Sequence, residues 1–346
     1  MTATHPAPTL APRPVSPAGP PLPQPRGPLS AYLLDRLRLP VHALPAPPAA
    51  EDDPLWGEDS ALALYCCYEL HYRGLAGVDD AWEWEPSLLA LRRALEDAFE
   101  VRLREVVGPV EAPGDVAAAL EAVAHPADDG GRSLADFAAD EATDSQFKEL
   151  AVHRTAWQLK EADPHTWAIP RLWGKPKAAL VEIQKEEYGE GVEKDIHAVL
   201  YAMTLRELGL DDRYGAYVDH LPAVTLATVS LASFFGLHRR RRGAAVGHLS
   251  MFEMTSVEPM GKYSVGLRRL GYSSWARLFY DTHVVADANH QFVAAHKLAA
   301  GLAQQEPEVA GDIVFGAKAL MALEAELTEH AFACFDAGRT SLRRPL

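Results

Sequence analysis

Helical periodicity dominates the chain from about residue 54 to its end. Apolar residues, mostly Leu and Ala, recur at spacings of three and four among Glu, Lys and Arg, which is the pattern of amphipathic helices. Runs with the alternating pattern of strands are nearly absent. Short Pro- and Gly-containing breaks divide the pattern into predicted helices at 58–73, 86–107, 115–124, 144–162, 176–188, 192–208, 222–237, 244–254, 262–270, 273–302 and 308–336. The expected fold is therefore an all-α helical bundle.

One apolar stretch, from Leu221 to Leu237, carries no charge and could be a buried helix or a membrane span. It contains Pro222, Gly236 and several hydroxyl residues, and it is shorter than the roughly 20 apolar residues that cross a bilayer. These features favour a helix buried in the protein core, so no membrane partner is expected.

The first 52 residues have a different composition from the rest. Fourteen of the 26 prolines fall within the first 50 residues, where no usable periodicity is found. Such a composition favours an extended, polyproline-like chain. We predict a disordered, Pro-rich, flexible tail over 1–52 and a single helical domain over 53–346.

Charge and cysteine content narrow the function classes. The chain has 33 Lys and Arg residues against 48 Asp and Glu, a formal net charge of −15. This balance argues against a nucleic-acid partner, because binding to phosphates depends on an excess of basic residues. The three cysteines form neither a disulfide framework nor a CxxC motif, and the first residues lack the apolar core of a secretion signal. A cytoplasmic protein in a reducing compartment is expected.

The most informative chemistry lies in the segment 278–290. His283, Asp287 and His290 are spaced by four and then three residues, so they fall within roughly 60° of one another on a helical wheel. Their neighbours are largely apolar, which indicates that this polar stripe is buried. A buried imidazole or carboxylate without a partner costs several kcal/mol. Either a metal ion or an ion-pair network is therefore expected at the stripe.

Two further segments offer ligands. Glu161 lies on a largely apolar face of the predicted helix 144–162, and Glu186 and Glu187 precede a Gly-containing break that leads to His197 in an apolar run. On an unbroken helix Glu186 would align with His197 to within about 20°, whereas Glu187 would diverge by about 80°. The intervening glycines are expected to bend the chain and bring Glu187 round. The choice between Glu186 and Glu187 stays open.

The candidate ligands comprise three carboxylates and three imidazoles: Glu161, Glu187, His197, His283, Asp287 and His290. Carboxylates and imidazoles on facing helices are the ligand set of non-haem di-iron centres. The paired Glu-x-x-His motifs of ferritin-like proteins are absent, which implies a different helical fold.

These motifs resemble those of the haem-oxygenase-like di-iron oxidases and oxygenases, a family of iron-containing redox enzymes. The family pattern has a Glu on one core helix, a Glu about ten residues before a His around a Glu-Tyr-Gly-x-Gly element, and a His-x-x-x-Asp-x-x-His helix. The resemblance implies a haem-oxygenase-like (TenA-like) bundle, two Fe²⁺ per chain, dioxygen as oxidant, and metal-binding and catalytic roles for the six residues just named. It also implies N-oxygenation, desaturation or oxidative C–C cleavage of a small organic substrate.

Several alternatives stay open. The same stripe could bind metal in a non-catalytic helical protein, and the same fold could degrade haem. Glu253, in an apolar context, and Glu69 and His71, in an aromatic run, could also line the site. The substrate is not specified by the sequence, an external electron donor is expected as a partner, and self-association into a homodimer is left open.

Overall fold

A computed structural model describes residues 19–126 and 131–346, and these ranges contain helices and no strand. The prediction of an all-α bundle is thereby confirmed. The helices in chain order are α1 Pro28–Leu37, α2 Glu58–Glu69, α3 Pro86–Val107, α4 Val116–Ala124, α5 Leu134–Asp140, α6 Asp144–Gln158, α7 Asp163–Thr166, α8 Gly174–Glu187, α9 His197–Glu207, α10 Ala223–Leu237, α11 Arg242–Thr255, α12 Val257–Arg269, α13 Ser274–Phe292, α14 Ala300–Gln305 and α15 Ala310–Asp336. A π-helical segment, Val293–Ala299, joins α13 to α14.

Helix α1 lies inside the segment predicted to be a flexible tail. Its leucines, including Leu29, Leu33 and Leu37, are buried in the core that α2 and α10 also form. The carboxylate of Asp59 on α2 accepts hydrogen bonds from the backbone amides of Leu29 and Ser30 at 2.8 and 2.7 Å, which satisfies the free N-terminus of α1. The tail boundary predicted at residue 52 is therefore wrong for the described residues, because leucines four apart bury one face of α1 despite the surrounding prolines. Residues 1–18 of that segment lie outside the described residues.

The longer helices lie where the sequence pattern predicts them, but several of their ends differ: α2 ends at Glu69 instead of 73, and α12 begins at Val257 instead of 262. Helix α6 ends at Gln158 instead of 162, and α9 begins at His197 instead of 192. The predicted helix 273–302 is interrupted by the π-helical segment that directly follows α13. Helices α1, α5 and α7 were not predicted: α5 and α7 are too short for their periodicity to be distinguished from that of a loop, and α1 lies among prolines that favour an extended chain.

Three apolar cores hold the bundle together. One joins α1, α2, α3 and α10, a second joins α4, α8, α11 and the π-helical segment, and a third joins α5, α6, α9, α12 and α13. Helix α15 contributes residues to all three. The candidate ligands lie on α8, α9, α11 and α13 and on the turn that follows α6.

Helix α10 is the uncharged stretch that raised the question of a membrane span. Nearly all of its residues are buried within the bundle. Among the described residues, no helix combines the length and the apolar character that crossing a bilayer requires.

Candidate metal centre

Helix α13 presents the predicted polar stripe to the interior. His283, Asp287 and His290 are 3%, 2% and 0% exposed. Because their spacing places them on one face, a single helix delivers three metal-competent side chains to the same region. The structure therefore brings these three residues together as their spacing indicates.

Glu187 and His197 meet across a sharp turn. Glu187 is the last residue of α8 and His197 the first residue of α9. The chain between them passes through Gly189 at φ +62°, where an added Cβ would lie 2.5 Å from backbone atoms of Asp195 and Ile196. Glycine is therefore required at this close approach. The turn places Glu187 Oε2 at 2.7 Å from His197 Nδ1.

Glu161 is presented by a turn and not by a helix. It follows the end of α6, and the next residue, Ala162, has a left-handed φ of +73°. The Gln184 side chain donates a hydrogen bond to the Ala162 carbonyl at 2.8 Å, which holds this unfavourable backbone conformation in place. Glu161 Oε2 then lies 3.5 Å from His283 Nε2.

The donor atoms form two groups that share one residue. Glu161, Glu187, His197 and His283 offer atoms that all lie within 4.8 Å of one another, and so do Glu187, Glu253, Asp287 and His290. Glu187 belongs to both groups, so its carboxylate lies between two adjacent positions for a cation. All six predicted residues fall in these groups, and their role as metal ligands stays a prediction.

Glu253 is the seventh residue of the two ligand groups and was not among the six predicted ligands. It is buried on α11, and its Oε2 lies 3.1 Å from His290 Nδ1. Its apolar sequence context was the only signal that pointed to it. Glu186, by contrast, is outside both groups, although its Oε2 lies 3.1 Å from His290 Nε2 at the more exposed edge of the site. The structure thus favours Glu187 over Glu186 as the shared carboxylate.

The other two open candidates lie elsewhere. Glu69 forms a buried ion pair with Lys160, and His71 Nδ1 lies 2.9 Å from Glu83 Oε1. Neither residue belongs to the two groups of potential ligands. Each therefore has a partner of its own and needs no metal ion.

Neighbouring side chains orient the candidate ligands. The Ser256 hydroxyl donates to Asp287 Oδ2 at 2.5 Å, and His283 Nδ1 lies 2.9 Å from the Phe279 carbonyl, which directs His283 Nε2 towards the acidic residues. With the Gln158 amide oriented to donate, its side-chain nitrogen lies 2.6 Å from Glu161 Oε1 and 3.0 Å from Glu161 Oε2. Such contacts fix the direction of a ligand's lone pairs. Gln158 and Ser256 escaped sequence reasoning, because no motif marks them.

Protonation in the site reflects burial and the mutual attraction of opposite charges. Burial raises the pKa of Glu161, Glu187 and Glu253 above the ordinary carboxyl value. Burial alone would lower the pKa of His283, but the nearby carboxylates, Glu161 foremost, raise it to about 10. Burial lowers the pKa of His197 to about 4. Protons are thus shared within the cluster, and a divalent cation would displace them on binding.

Three buried atoms in the site lack a hydrogen bond. In the described part of the chain, Glu187 Oε2, Asp287 Oδ1 and His290 Nε2 are buried; an imidazole or carboxylate atom lies 2.7, 3.5 and 3.1 Å from them, respectively, but none of these contacts has the geometry of a hydrogen bond. A buried polar atom without a partner is costly, and a cation would supply the missing interaction for each of them. The donor set of carboxylates and imidazoles fits iron. The residues present therefore fit an iron centre.

A cavity of about 370 Å³ reaches the centre from one side. Glu161, Glu187, Glu253, His283 and Asp287 form part of its wall, and aromatic and aliphatic side chains form most of the remainder. Ligand sites of enzymes are commonly apolar cavities with a few convergent polar groups. The arrangement can hold an organic molecule beside the candidate ligands.

Comparison with known proteins identifies a protein family. A family model described as iron-containing redox enzyme matches residues 148–325, which is just over half of the chain and includes every member of the two ligand groups. No curated protein matches the chain at a significant level.

Proposed function

Since the chain belongs to the iron-containing redox enzyme family, we propose that it is a non-haem di-iron enzyme that uses dioxygen to oxidise a small organic substrate. Membership of this family indicates an iron-dependent oxidoreductase. We propose in addition that the centre binds a pair of iron ions and that dioxygen is the oxidant.

The observation that carries the proposal is the shared carboxylate. One ion would be bound by Glu161, His197 and His283, a second by Glu253, Asp287 and His290, and Glu187 would bind both. A carboxylate that serves two ions is a common feature of di-iron centres in helical bundles. A single structural ion would leave one of the two groups of buried acidic and imidazole side chains without a counterion.

The types of ligand also favour iron, and neighbouring residues would keep the ligands oriented. Carboxylates outnumber imidazoles four to three in the two groups, which favours hard ferrous and ferric ions. Bound iron would supply electrons to dioxygen and so make it an oxidant. Binding of iron would displace the protons that the carboxylates and imidazoles share, and Ser256 and Gln158 would keep Asp287 and Glu161 oriented.

The cavity supports a substrate that lies directly beside the ligands. Its walls are mostly apolar, which excludes bulk water and favours the binding of an organic molecule. N-oxygenation, desaturation and oxidative C–C cleavage are all compatible with this proposal. Complete reduction of dioxygen consumes more electrons than one two-electron oxidation of a substrate supplies, so an external electron donor is part of the proposal for such reactions.

The number of irons bound per chain, measured in the wild type and in variants of two adjacent glutamates, tests the proposal. We expect the wild-type chain, loaded with Fe²⁺ without oxygen, to bind about two irons and to give a transient visible absorption when dioxygen is added. Glu187→Ala is expected to lose most of the iron, because both groups lose a ligand. Glu186→Ala is the matched control, since it removes a carboxylate one residue away that belongs to neither group.

Three outcomes would contradict the proposal. Retention of both irons by Glu187→Ala would show that the ligand assignment is wrong. One tightly bound zinc with no reaction with dioxygen would indicate a structural metal site. A Soret band after addition of haem, with all seven candidate ligands dispensable for haem turnover, would indicate a haem-degrading enzyme. Circular dichroism of each variant distinguishes loss of metal from loss of the fold.

A further inference from the structure

The wall of the cavity contains one ion pair away from the metal centre. Arg154 on α6 and Glu324 on α15 form two parallel hydrogen bonds, NH1 to Oε1 at 2.7 Å and NH2 to Oε2 at 2.6 Å. Both residues line the cavity, and their side chains remain 28% and 24% exposed. Each group therefore keeps surface that a bound molecule can reach.

The surroundings of this pair are apolar and aromatic. Trp157 stacks on Phe252 with ring centroids 4.9 Å apart, and Tyr263 and Tyr280 pack with centroids 5.6 Å apart. All four rings contribute to the cavity wall. The body of a bound molecule would therefore contact aromatic surfaces, which favour apolar groups.

The charges of the wall outside the metal centre cancel. Among the described lining residues outside that centre, Arg154 and Glu324 carry the formal charges, because burial lowers the pKa of His165 to about 3 and keeps it neutral. An anion placed at Arg154 would face the carboxylate of Glu324, and a cation at Glu324 would face the guanidinium. A buried charge without compensation is costly. A group that carries both charges avoids this cost.

The pair also lies apart from the candidate metal ligands. Arg154 lies on α6 one turn before that helix ends at Gln158, whereas Glu161 lies on the turn beyond it; both line the cavity, and Arg154 belongs to neither ligand group. A molecule whose charged end is held at Arg154 would therefore present its apolar end, and not its charged end, to the candidate iron ligands.

We propose that the Arg154–Glu324 pair binds the zwitterionic head group of the substrate, an ammonium–carboxylate group on an apolar body, with the substrate carboxylate on Arg154 and its ammonium on Glu324. This proposal rests on the proposed function, since it names the substrate class of the same site. The oxidised position then lies on the apolar body. Arg154 and Glu324 are specificity-determining residues and not metal ligands.

Binding of three related probes tests the assignment. L-Phenylalanine carries both charges, hydrocinnamate lacks the ammonium group and phenethylamine lacks the carboxylate. We expect isothermal titration calorimetry on the whole chain, with and without Fe²⁺ and in the absence of oxygen, to show L-phenylalanine binding at least about tenfold more tightly than either analogue. Glu324→Gln should weaken L-phenylalanine binding and strengthen hydrocinnamate binding, because the Arg154 guanidinium then lacks its counterion.

Two further variants keep the test independent of folding. Arg154→Met combined with Glu324→Met removes both charges together, a change that buried ion pairs commonly tolerate, and should abolish discrimination among the three probes. Lys148→Met is the matched control on α6, because Lys148 pairs with Asp144 at 2.8 Å and is not part of the cavity wall. It should leave all three affinities unchanged.

The results separate this proposal from the one on which it rests. Equal affinity for the three probes, tightest binding of either analogue to the wild type, or no measurable binding of any probe would overturn the head-group assignment, whatever the iron content. Loss of iron binding with preserved discrimination among the probes would instead refute the di-iron proposal and leave a zwitterion-binding site.

Discussion

Removal of the buried Lys160 ammonium tests how the segment that presents Glu161 is held. Lys160 is 1% exposed and forms an ion pair with Glu69, which is 0% exposed. The Tyr214 hydroxyl donates a hydrogen bond to the same carboxylate. The Lys160 ammonium also lies 4.2 Å from the centroid of the Tyr72 ring. Lys160→Met keeps the apolar length of the side chain and removes its charge.

The magnitude follows from the burial of both partners. Loss of one partner of a buried ion pair costs about 3–5 kcal/mol, because the other charge is left without compensation. Glu69 cannot reach water, so we expect Lys160→Met to lower the free energy of unfolding by an amount in that range. Adding Glu69→Gln removes the stranded charge and keeps an acceptor for the Tyr214 hydroxyl, so the double variant should recover most of the loss.

The assay is urea unfolding of the iron-free protein, followed by circular dichroism, so that bound metal does not contribute to the measured stability. Lys262→Met is the control: Lys262 forms ion pairs with Asp136 and Glu258 at the surface, and its loss should cost under about 1 kcal/mol. A loss below about 1 kcal/mol for Lys160→Met, or a double variant less stable than the single one, would refute the reasoning.

Three other changes have defined outcomes. Gly189→Ala should lower the free energy of unfolding by several kcal/mol and lower iron occupancy, because the new Cβ would lie 2.5 Å from backbone atoms. Gly191 has a φ of +83° and no atom within 4 Å of the added Cβ, so Gly191→Ala should cost only about 1–2 kcal/mol in urea unfolding. Ser256→Ala removes a 2.5 Å hydrogen bond to Asp287 and should weaken iron binding about 10–100-fold in a chelator competition assay. His153 is buried, and burial lowers its pKa to about 3. Below about pH 6.5 the imidazole therefore takes up a proton when the chain unfolds, and the free energy of unfolding falls as the pH drops from 6.5 towards 3. The stability advantage of wild type over His153→Gln should therefore shrink by about 2 kcal/mol between about pH 7 and pH 5.

Controls and opposite results are available for each of these changes. Ser264→Ala removes a hydrogen bond to Asp281 on the outer part of α13 and should leave iron affinity unchanged. Equal costs for the two glycine variants would contradict the close approach at Gly189. A difference between wild type and His153→Gln that stays constant with pH would show that His153 is not held in its neutral form.

Local periodicity was enough to predict the α13 stripe. His283, Asp287 and His290 share one face because 3.6 residues complete a turn of any helix, whatever surrounds it. The same periodicity predicted the bundle and identified α10 as a buried helix, since both depend on the distribution of apolar residues along the chain. The glycine turn before His197 was also readable, because the requirement for positive φ is a property of the local backbone.

Long-range packing decided the rest. Which of Glu186 and Glu187 lies between the two ligand groups depends on how the end of α8 meets α9 and α13, and the exit of Glu161 from α6 depends on contacts with Gln184, which lies far along the chain. Periodicity within a single helix carries no information about such contacts.

Two contacts between distant residues show most clearly what local sequence cannot predict. Arg154 and Glu324 are 170 residues apart, and Glu253 reaches His290 from a different helix. The sequence by itself determined where the longer helices form and which faces they bury. Only the tertiary structure decided which polar side chains meet there, because the free energy of a buried charge depends on partners that the fold, and not the local sequence, brings within reach.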